Sequence, residues 1–334
     1  MRRTGHARPL VYRRRKNRLW RVLAAVVVLA AVGVVGVSVY VGWTMTHLPK
    51  VPVNQTPAAV GLAYESVAFA ATDGVTLRGW FLPSGDSSRT IMIAHGFDSN
   101  RLAPTVPALE LARSLVEGGF NVLMFDFRHA GESDGDVTTL GYHEVKDLFG
   151  AVEWLKRERA ARAERIGLIG YSMGAATSIL AAAGEPRIEA VVADSPFSDL
   201  RDYLQRNMSV WTGLPDFPFT WLIITLLPPL LEMDPSAVSP IAAVGNLTQP
   251  LLLIHTEGDP MIPSSESRRL AAAAPPDRTQ LWIVPGSTRH IGGRQVNPAV
   301  YDARVIGFFK DALGVVEEEA AAPVSLARIW PGLG

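Results

Sequence analysis

The sequence predicts an α/β domain with a mostly parallel sheet, standing behind one N-terminal membrane-spanning helix. Three observations predict it. Val22 to Val41 is an uncharged run made almost wholly of Val, Ala, Leu and Gly. From Tyr64 to Leu313, strand and helix patterns alternate, as they do where crossover helices join parallel strands. One stretch, 197–247, breaks that rhythm and reads as an insertion.

The apolar run is justified by its length. At 1.5 Å per residue, about 20 apolar residues cross a hydrocarbon core of ~30 Å. Trp20, Tyr40 and Trp43 lie near its ends, where amphipathic rings prefer the membrane interface. Nine basic residues (Arg2, Arg3, Arg8, Arg13, Arg14, Arg15, Lys16, Arg18 and Arg21) precede or enter it, and the first acidic residue is Glu65. By the positive-inside rule, the N-terminus stays in the cytoplasm and the domain lies on the extracytoplasmic side of the cell membrane. The competing reading is a cleaved signal peptide. That would need a shorter apolar region and a small-residue cleavage site, whereas this run ends in Val-Tyr-Val-Gly-Trp. The expected division is a basic N-terminus over 1–18, a span over 19–43 and a spacer over 44–63. The domain follows over 64–315, then a disordered tail over 316–334. Pro49, Pro52 and Pro57 give the spacer its extended character.

Within the domain, Val67–Ala71 and Val75–Leu82 flank Asp73-Gly74 and read as an opening hairpin. Thr90–Ala94 is a short buried strand, and Val106–Glu117 has apolar residues at helical spacing. Asn121–Phe125 is a strand followed by a Gly-rich polar loop to Asp136. Tyr142–Glu158 is helical, with Val145, Leu148, Phe149, Val152 and Leu155 on one face. Arg165–Ile169 is a strand and Met173–Ala183 a helix of small residues. Ile188–Ala193, Leu251–His255 and Gln280–Val284 complete eight strands. Helices at Ser265–Ala273 and Pro298–Leu313 accompany the last of them. The insertion at 197–247 is rich in Pro and aromatics, and Phe219 to Leu231 is strongly apolar. It suits a cap over an active site. Pro228-Pro229 and its short length argue against a second span, while an interfacial helix touching lipid fits the composition.

Composition excludes several chemistries. The chain has 334 residues and no cysteine, with 32 basic residues balanced by 32 acidic ones. That removes disulfides, thiolate metal sites and cysteine nucleophiles. The zero net charge gives no footprint for nucleic acid, and the basic N-terminus is explained by the adjoining span. No P-loop or dinucleotide fingerprint is present. His143-Glu144 begins like a zinc-binding HExxH, but Asp147 holds the place of the second histidine. No cofactor or metal is expected.

The strongest local signal is Gly170-Tyr171-Ser172-Met173-Gly174, which follows a strand and opens a helix. This is the context of a nucleophile elbow, in which a tight turn presents a serine in a strained, exposed position. A serine hydroxyl is a weak nucleophile and needs a base, which in turn needs an orienting acid. Asp259 lies in the loop after Leu251–His255, and His290 in the loop after Gln280–Val284. Both follow the serine in the order this arrangement uses, at the ends of strands where open α/β sheets place their ligands. His290 is the only histidine after Asp259. Glu257 is the alternative acid. Backbone N–H groups for an oxyanion are expected from Met173 and from Phe97, in the loop His95-Gly96-Phe97-Asp98. His95 reads as a structural residue of that loop, with a base as the other reading. His143 is expected to face solvent or to cap its helix.

Ala-His-Gly-Phe at 94–97, Asp-Phe-Arg-His-Ala-Gly-Glu-Ser at 126–133, the serine pentapeptide at 170–174, Gly-Asp at 258–259 and His290 occur in this order. Together they resemble the landmarks of the α/β-hydrolase superfamily. The segment 139–147 and the N-terminal anchor are similar to a single-span subgroup related to the Bem46-like and prolyl-oligopeptidase-like branches. The resemblance implies the α/β-hydrolase fold, a triad of Ser172, Asp259 and His290, and an oxyanion hole from Phe97 and Met173. Many members carry Arg-Gly-His-Gly where this chain has Arg-His-Ala-Gly at 128–131. The cap has no counterpart among them, and the cap selects the substrate.

The function expected is a serine hydrolase acting through an acyl-enzyme on carboxylic esters or thioesters with an apolar, lipid-like acyl group. The alternatives are a serine peptidase or amidase, and an inactive hydrolase fold serving as a binding module at the membrane. The sequence leaves the oligomeric state open.

Overall fold

The computed structural model describes residues 10–314, with side chains from Asn17 onward. The expected disordered tail at 316–334 and residues 1–9 of the basic N-terminal segment lie outside the described residues.

The first element is α1 (Leu10–Thr46). Its stretch Asn17–Thr46 is long and apolar enough to cross a membrane, and almost none of its most apolar window is buried. The helix therefore runs about one turn past the expected end of the span. The following segment is extended, but it is no free spacer. Asn100 Nδ2 donates to the carbonyls of Val51 and Pro52 at 3.1 and 3.0 Å. Lys50 Nζ donates to Ser133 O at 2.6 Å. Val53, Val60 and Leu62 pack against the core of the domain. The prolines make the segment extended, and its apolar side chains seat it.

The eight strands are β1 (Glu65–Ala70), β2 (Thr76–Leu82), β3 (Arg89–Ala94), β4 (Asn121–Phe125), β5 (Arg165–Tyr171), β6 (Ile188–Asp194), β7 (Leu251–Thr256) and β8 (Thr279–Val284). They form one sheet in the order β1-β2-β4-β3-β5-β6-β7-β8. The hairpin β1–β2 and the β2–β4 pair are antiparallel, and all later pairs are parallel. The expected sheet is thus found, with boundaries shifted by one or two residues. The shift at β5 has a consequence, because the strand runs to Tyr171 and delivers the next residue, Ser172, at its tip.

Helices cover both faces, as a parallel sheet requires. On one face lie α3 (Glu144–Glu158), α4 (Met173–Gly184) and α8 (Ser265–Ala273). Leu148, Val152, Leu155, Ile179 and Leu270 are buried there against the sheet. On the other face, α2 (Ala108–Glu117) and α10 (Pro298–Leu313) bury Leu111, Leu115, Val305 and Phe309. Helix α3 begins two residues later than its periodicity suggests. Glu144 is fully buried and accepts from Thr139 N and Gly141 N at 2.8 Å each. Its carboxylate holds the preceding turn out of helical geometry. His143 therefore neither faces solvent freely nor caps the helix with its side chain: it is half-buried at the N-cap position.

The insertion between β6 and β7 holds α5 (Leu200–Thr212), a turn at Asp216–Thr220, α6 (Trp221–Leu230) and α7 (Pro240–Val244). Helices α5 and α6 meet at a bend of 116°. Helix α6 packs against the end of α1. The remaining helix, α9 (Gly293–Val296), follows the loop that carries His290.

Candidate active site

Ser172 sits between β5 and α4 with φ +53° and ψ −116°, in a region costly to an L-residue with a side chain. The surroundings impose this conformation. Ser172 N donates to Asp194 O at 2.8 Å, tying the turn to β6. A Cβ at Gly170 would strike Gly174 O, and one at Gly174 would strike the carbonyls of Ala94 and His95. Only glycine at both places lets α4 start this close to β3.

His290 comes to this serine from the loop after β8. Its Nε2 lies 2.8 Å from Ser172 Oγ, and its Nδ1 lies 2.7 Å from Asp259 Oδ2. The loop is pinned from β7, where Thr256 Oγ1 donates to Arg289 O at 2.7 Å. Asp259 is itself fixed. Its Oδ1 accepts from Met261 N at 2.9 Å and Ile262 N at 3.0 Å. Burial alone would raise the Asp259 carboxyl, but the nearby His255 ring, the hydrogen bond from His290 Nδ1 and the backbone donor Ile262 N outweigh it. The net shift is well below the usual carboxylate range, so Asp259 is an acceptor towards His290. That places the imidazole proton on Nδ1 and leaves Nε2 free to accept from the serine hydroxyl.

The alternative acid, Glu257, is exposed, whereas Asp259 is buried. A second carboxyl, Asp194, lies beneath the elbow. It is occupied by Tyr301 Oη at 2.8 Å and Ser195 Oγ at 2.9 Å, and burial raises it. The residue not singled out by sequence is His255. It is fully buried, with Nδ1 2.7 Å from Ser267 Oγ and Nε2 2.8 Å from Ile262 O. Its Nε2 is also 3.5 Å from Asp259 Oδ2. The only sequence signal was its place four residues before the aspartate.

The loop after β3 lies against the elbow. A Cβ added to Gly96 would be 3.5 Å from Ser172 Cβ, so this loop and the serine are in contact. Among the described residues, no other group accepts from Phe97 N or Met173 N. Met173 N also opens α4, where the helix dipole favours negative charge. His95 is structural in this geometry. Its Nδ1 lies 2.8 Å from Gly96 O, and its Nε2 accepts from Phe127 N at 3.0 Å. Burial lowers its pKa, which keeps it neutral for this double role. The departing loop Arg-His-Ala-Gly shares a small cavity, through Arg128, His129 and Ala130, with Gly96, Phe97 and Met173. It is organised by buried Asp126, which accepts from Arg101 N, Nε and Nη2 and from Glu132 N. The same carboxylate thereby ties the loop after β3 to the loop after β4.

Two cavities meet at Ser172. One is narrow, with a volume of about 80 Å³, and is lined almost entirely by apolar groups. Its walls come from the cap (Leu204, Met208, Ile223, Leu227) and from Gly42 and Met45 of α1. The other, about 400 Å³ and more polar, is lined by His290, Asp98, Ser99 and Thr105 among others. Among the described residues no group of three or more His, Asp or Glu side chains is placed to hold a metal ion.

The arrangement has parallels in known proteins. The profile of the X-Pro dipeptidyl-peptidase (S15) family matches residues 73–226. The uncharacterized protein YfhR of Escherichia coli O157:H7 is 31% identical over 257 residues, covering 75% of this chain and 81% of that one. YqkD of Bacillus subtilis strain 168 is 31% identical over 199 residues, 59% of this chain, and the match spans 64% of YqkD's length. The esterase Pf2001 of Pyrococcus furiosus superposes with a TM-score of 0.68 at 30% identity, over 80% of this chain and 99% of that one. The chain belongs to the α/β-hydrolase superfamily. It is a serine hydrolase, and Ser172 stands on the turn between β5 and α4. In this hydrolase the wall contributed by α1 was not legible in the sequence, because it depends on how the cap folds back on α1.

Proposed function

We propose that the protein is a membrane-anchored carboxylic ester hydrolase for substrates with an apolar acyl chain, working through Ser172, His290 and Asp259. The observation that carries this reading is the unbroken hydrogen-bond chain from Ser172 Oγ through His290 to Asp259 at the foot of an apolar cavity. Ser172 Oγ attacks the ester carbonyl carbon while its proton passes to His290 Nε2. The carbonyl oxygen becomes an oxyanion and accepts from Met173 N–H and Phe97 N–H. The intermediate collapses, the bond from carbon to the alcohol oxygen breaks, and His290 returns the proton to the departing alcohol. Water then attacks the acyl-enzyme, giving one proton to His290. The acid leaves and the proton returns to Ser172. Asp259 holds the imidazole tautomer and offsets its transient positive charge. A thioester would follow the same steps with a thiol as leaving group.

The S15 match favours peptide hydrolysis as a second reading. An aminopeptidase-type substrate brings a charged ammonium; Asp98 lines the more polar cavity at Ser172, while no carboxylate lines the apolar one. The ester reading therefore fits the pocket better.

The helix α1 serves here as an uncleaved anchor, with its basic end in the cytoplasm and the domain on the extracytoplasmic side. Support comes from its C-terminal turns: Gly42, Met45 and Thr46 are part of the pocket wall, so a cleavage beyond the apolar run would remove that wall.

The test is fluorophosphonate labelling of the purified protein beside Ser172→Ala, with turnover of p-nitrophenyl esters of graded chain length. Labelling and ester turnover that both vanish in the variant are expected. Absence of labelling in well-folded wild type, or labelling that survives in the variant, would overturn the reading in favour of an inactive module or another nucleophile.

A further inference from the structure

We infer that the cap is embedded in the outer half of the bilayer beside α1, and that the acyl chain of a membrane-resident ester enters the pocket sideways between α1 and α6. This rests on the proposed ester-hydrolase function and deepens it by naming where the substrate resides.

The first observation is the depth at which the cap grips the anchor. The apolar run of α1 ends near Val41. The helix is exposed along most of that run, but Val34 is half-buried and Ser38 fully buried. Gly42 and Thr46 continue the same buried face at four-residue spacing. The partners on that face are α6 and the turn Asp216–Thr220. Val34 to Val41 is eight residues, or about 12 Å of helix. If the run from Val22 fills the hydrocarbon layer, the cap reaches roughly that far below its outer boundary.

The second observation is the chemistry of the surface the cap presents there. No charged residue occurs from Phe217 to Leu231. Thr220, Ile223, Leu227 and Leu231 are buried, while Trp221, Thr225 and Pro229 form the opposite, exposed stripe of the helix and Phe217 is exposed just before it. Phe217 is 80% exposed, and Trp221 and Leu230 are each 57% exposed. In water this would be an unusual display of large apolar groups, and in lipid it is the expected one. The bilayer is the occupant because α6, which carries the stripe, packs directly against α1, whose apolar run is itself exposed.

The third observation is the pocket. Its walls include Gly42 and Met45 of α1 and Ile223, Ile224 and Leu227 of α6. A Cβ at Gly42 would come within 2.9 Å of Leu227 Cδ2 and 3.2 Å of Ile223 Cγ2, so the glycine is what allows the two helices to approach this closely. The seam between them separates the exposed apolar surface of α1 and α6 from the cavity that reaches Ser172, so the chain enters when the two helices part. An acyl chain using this seam never has to cross water.

The experiment exploits the absence of cysteine. Single cysteines replace Phe217, Trp221, Val35 on the exposed face of α1, or Val296 on α9, and each carries an environment-sensitive fluorophore. The full chain is reconstituted in phosphatidylcholine vesicles with brominated acyl chains. Probes at 217 and 221 are expected to be quenched as strongly as the probe at 35, with the probe at 296 unaffected. Probes at 217 and 221 that behave like the one at 296, while that at 35 is quenched, overturn the inference. In parallel, Phe217→Asp/Trp221→Asp, which alters no residue of the pocket wall, is compared with wild type on two substrates. Hydrolysis of p-nitrophenyl palmitate held in the vesicles is expected to fall at least about tenfold. Hydrolysis of soluble p-nitrophenyl butyrate is expected to stay unchanged. Vesicle hydrolysis that survives the double substitution also overturns it. A wild type that hydrolyses neither ester counts against the proposed function, and the fluorophore arm still decides where the cap lies.

Discussion

Replacing Asp259 by asparagine removes one charge and leaves the shape, so its effect can be worked from the contacts. The aspartate Oδ1 faces two backbone donors, Met261 N at 2.9 Å and Ile262 N at 3.0 Å. If the amide nitrogen of the substituted side chain were placed there, donors would face donors, and each stranded buried group costs about 1–3 kcal/mol. The amide oxygen therefore stays towards the two N–H groups, by roughly 2–6 kcal/mol. The amide nitrogen is then aimed at His290 Nδ1. The imidazole can satisfy that donor only by moving its proton to Nε2, which faces Ser172 Oγ. In that tautomer the serine has lost its base. A preference of this size lowers the fraction of productive tautomer by between about 30-fold and 10⁴-fold. The lost carboxylate also no longer stabilises the imidazolium, which moves the expectation to the upper end, on the order of 10³–10⁴ in kcat. The assay is steady-state hydrolysis of a soluble p-nitrophenyl ester by wild type, Asp259→Asn and the exposed neighbour Glu257→Gln, with near-UV circular dichroism to show that each is folded. Activity of folded Asp259→Asn within about tenfold of wild type would refute the tautomer argument, as would an equal loss in Glu257→Gln.

Three further outcomes follow from the same contacts. Arg101→Met strands the fully buried carboxylate of Asp126, an interruption that typically costs about 3–5 kcal/mol, so thermal unfolding in detergent is expected on the order of 10 °C lower. Gly174→Ala would raise helix propensity on a free helix, yet here the added Cβ meets the carbonyls of Ala94 and His95. The expected result is a loss of about 10² or more in kcat, since the displaced segments carry both oxyanion donors. Asp73 is held at about 2, chiefly by hydrogen bonds from Arg128, with burial opposing them. Its folded value lies below the unfolded one, so its contribution is complete above about pH 4 and lost as pH falls towards 2. Urea titrations across that window should show a decline that Asp73→Asn flattens, by about 1 kcal/mol after allowance for screening at a partly exposed site.

The parts legible in the sequence are those written in local patterns. Val, Ile and Leu runs marked the buried strands, and the glycines of 170–174 between a strand and a helix marked the turn at Ser172. His290 stood out because no other histidine follows Asp259. Helix α3 was misplaced at its start because a buried carboxylate, Glu144, organises the turn before it. Periodicity counts apolar positions and cannot register such a contact. His255 was passed over for a related reason. A histidine four residues from an aspartate within strand and loop has no fixed geometry until Ser267 and Ile262 O hold its ring. The cap was recognisable as an interruption of the strand–helix rhythm, but where it would rest was not. Its resting place is set by the match of Gly42 to Ile223 and Leu227, residues about 180 positions apart in the chain.

The same match changes what the segment after the span does. An extended, proline-bearing stretch between a membrane helix and a domain ordinarily gives the domain freedom to swing. Here Thr138 N donates to Thr46 O at 3.0 Å, binding the end of the anchor to the loop after β4. His47 stacks on Trp43 with ring centroids 3.7 Å apart, and its edge meets His129 of that loop. Lys50, Val51 and Pro52 are then held in turn by Ser133 and Asn100. With both α6 and the following chain fastened to it, α1 has no hinge at its outer end. The orientation of the domain relative to α1 is therefore set by the same contacts that close the pocket. Loosening the anchor should open the acyl cavity and not merely lengthen a leash.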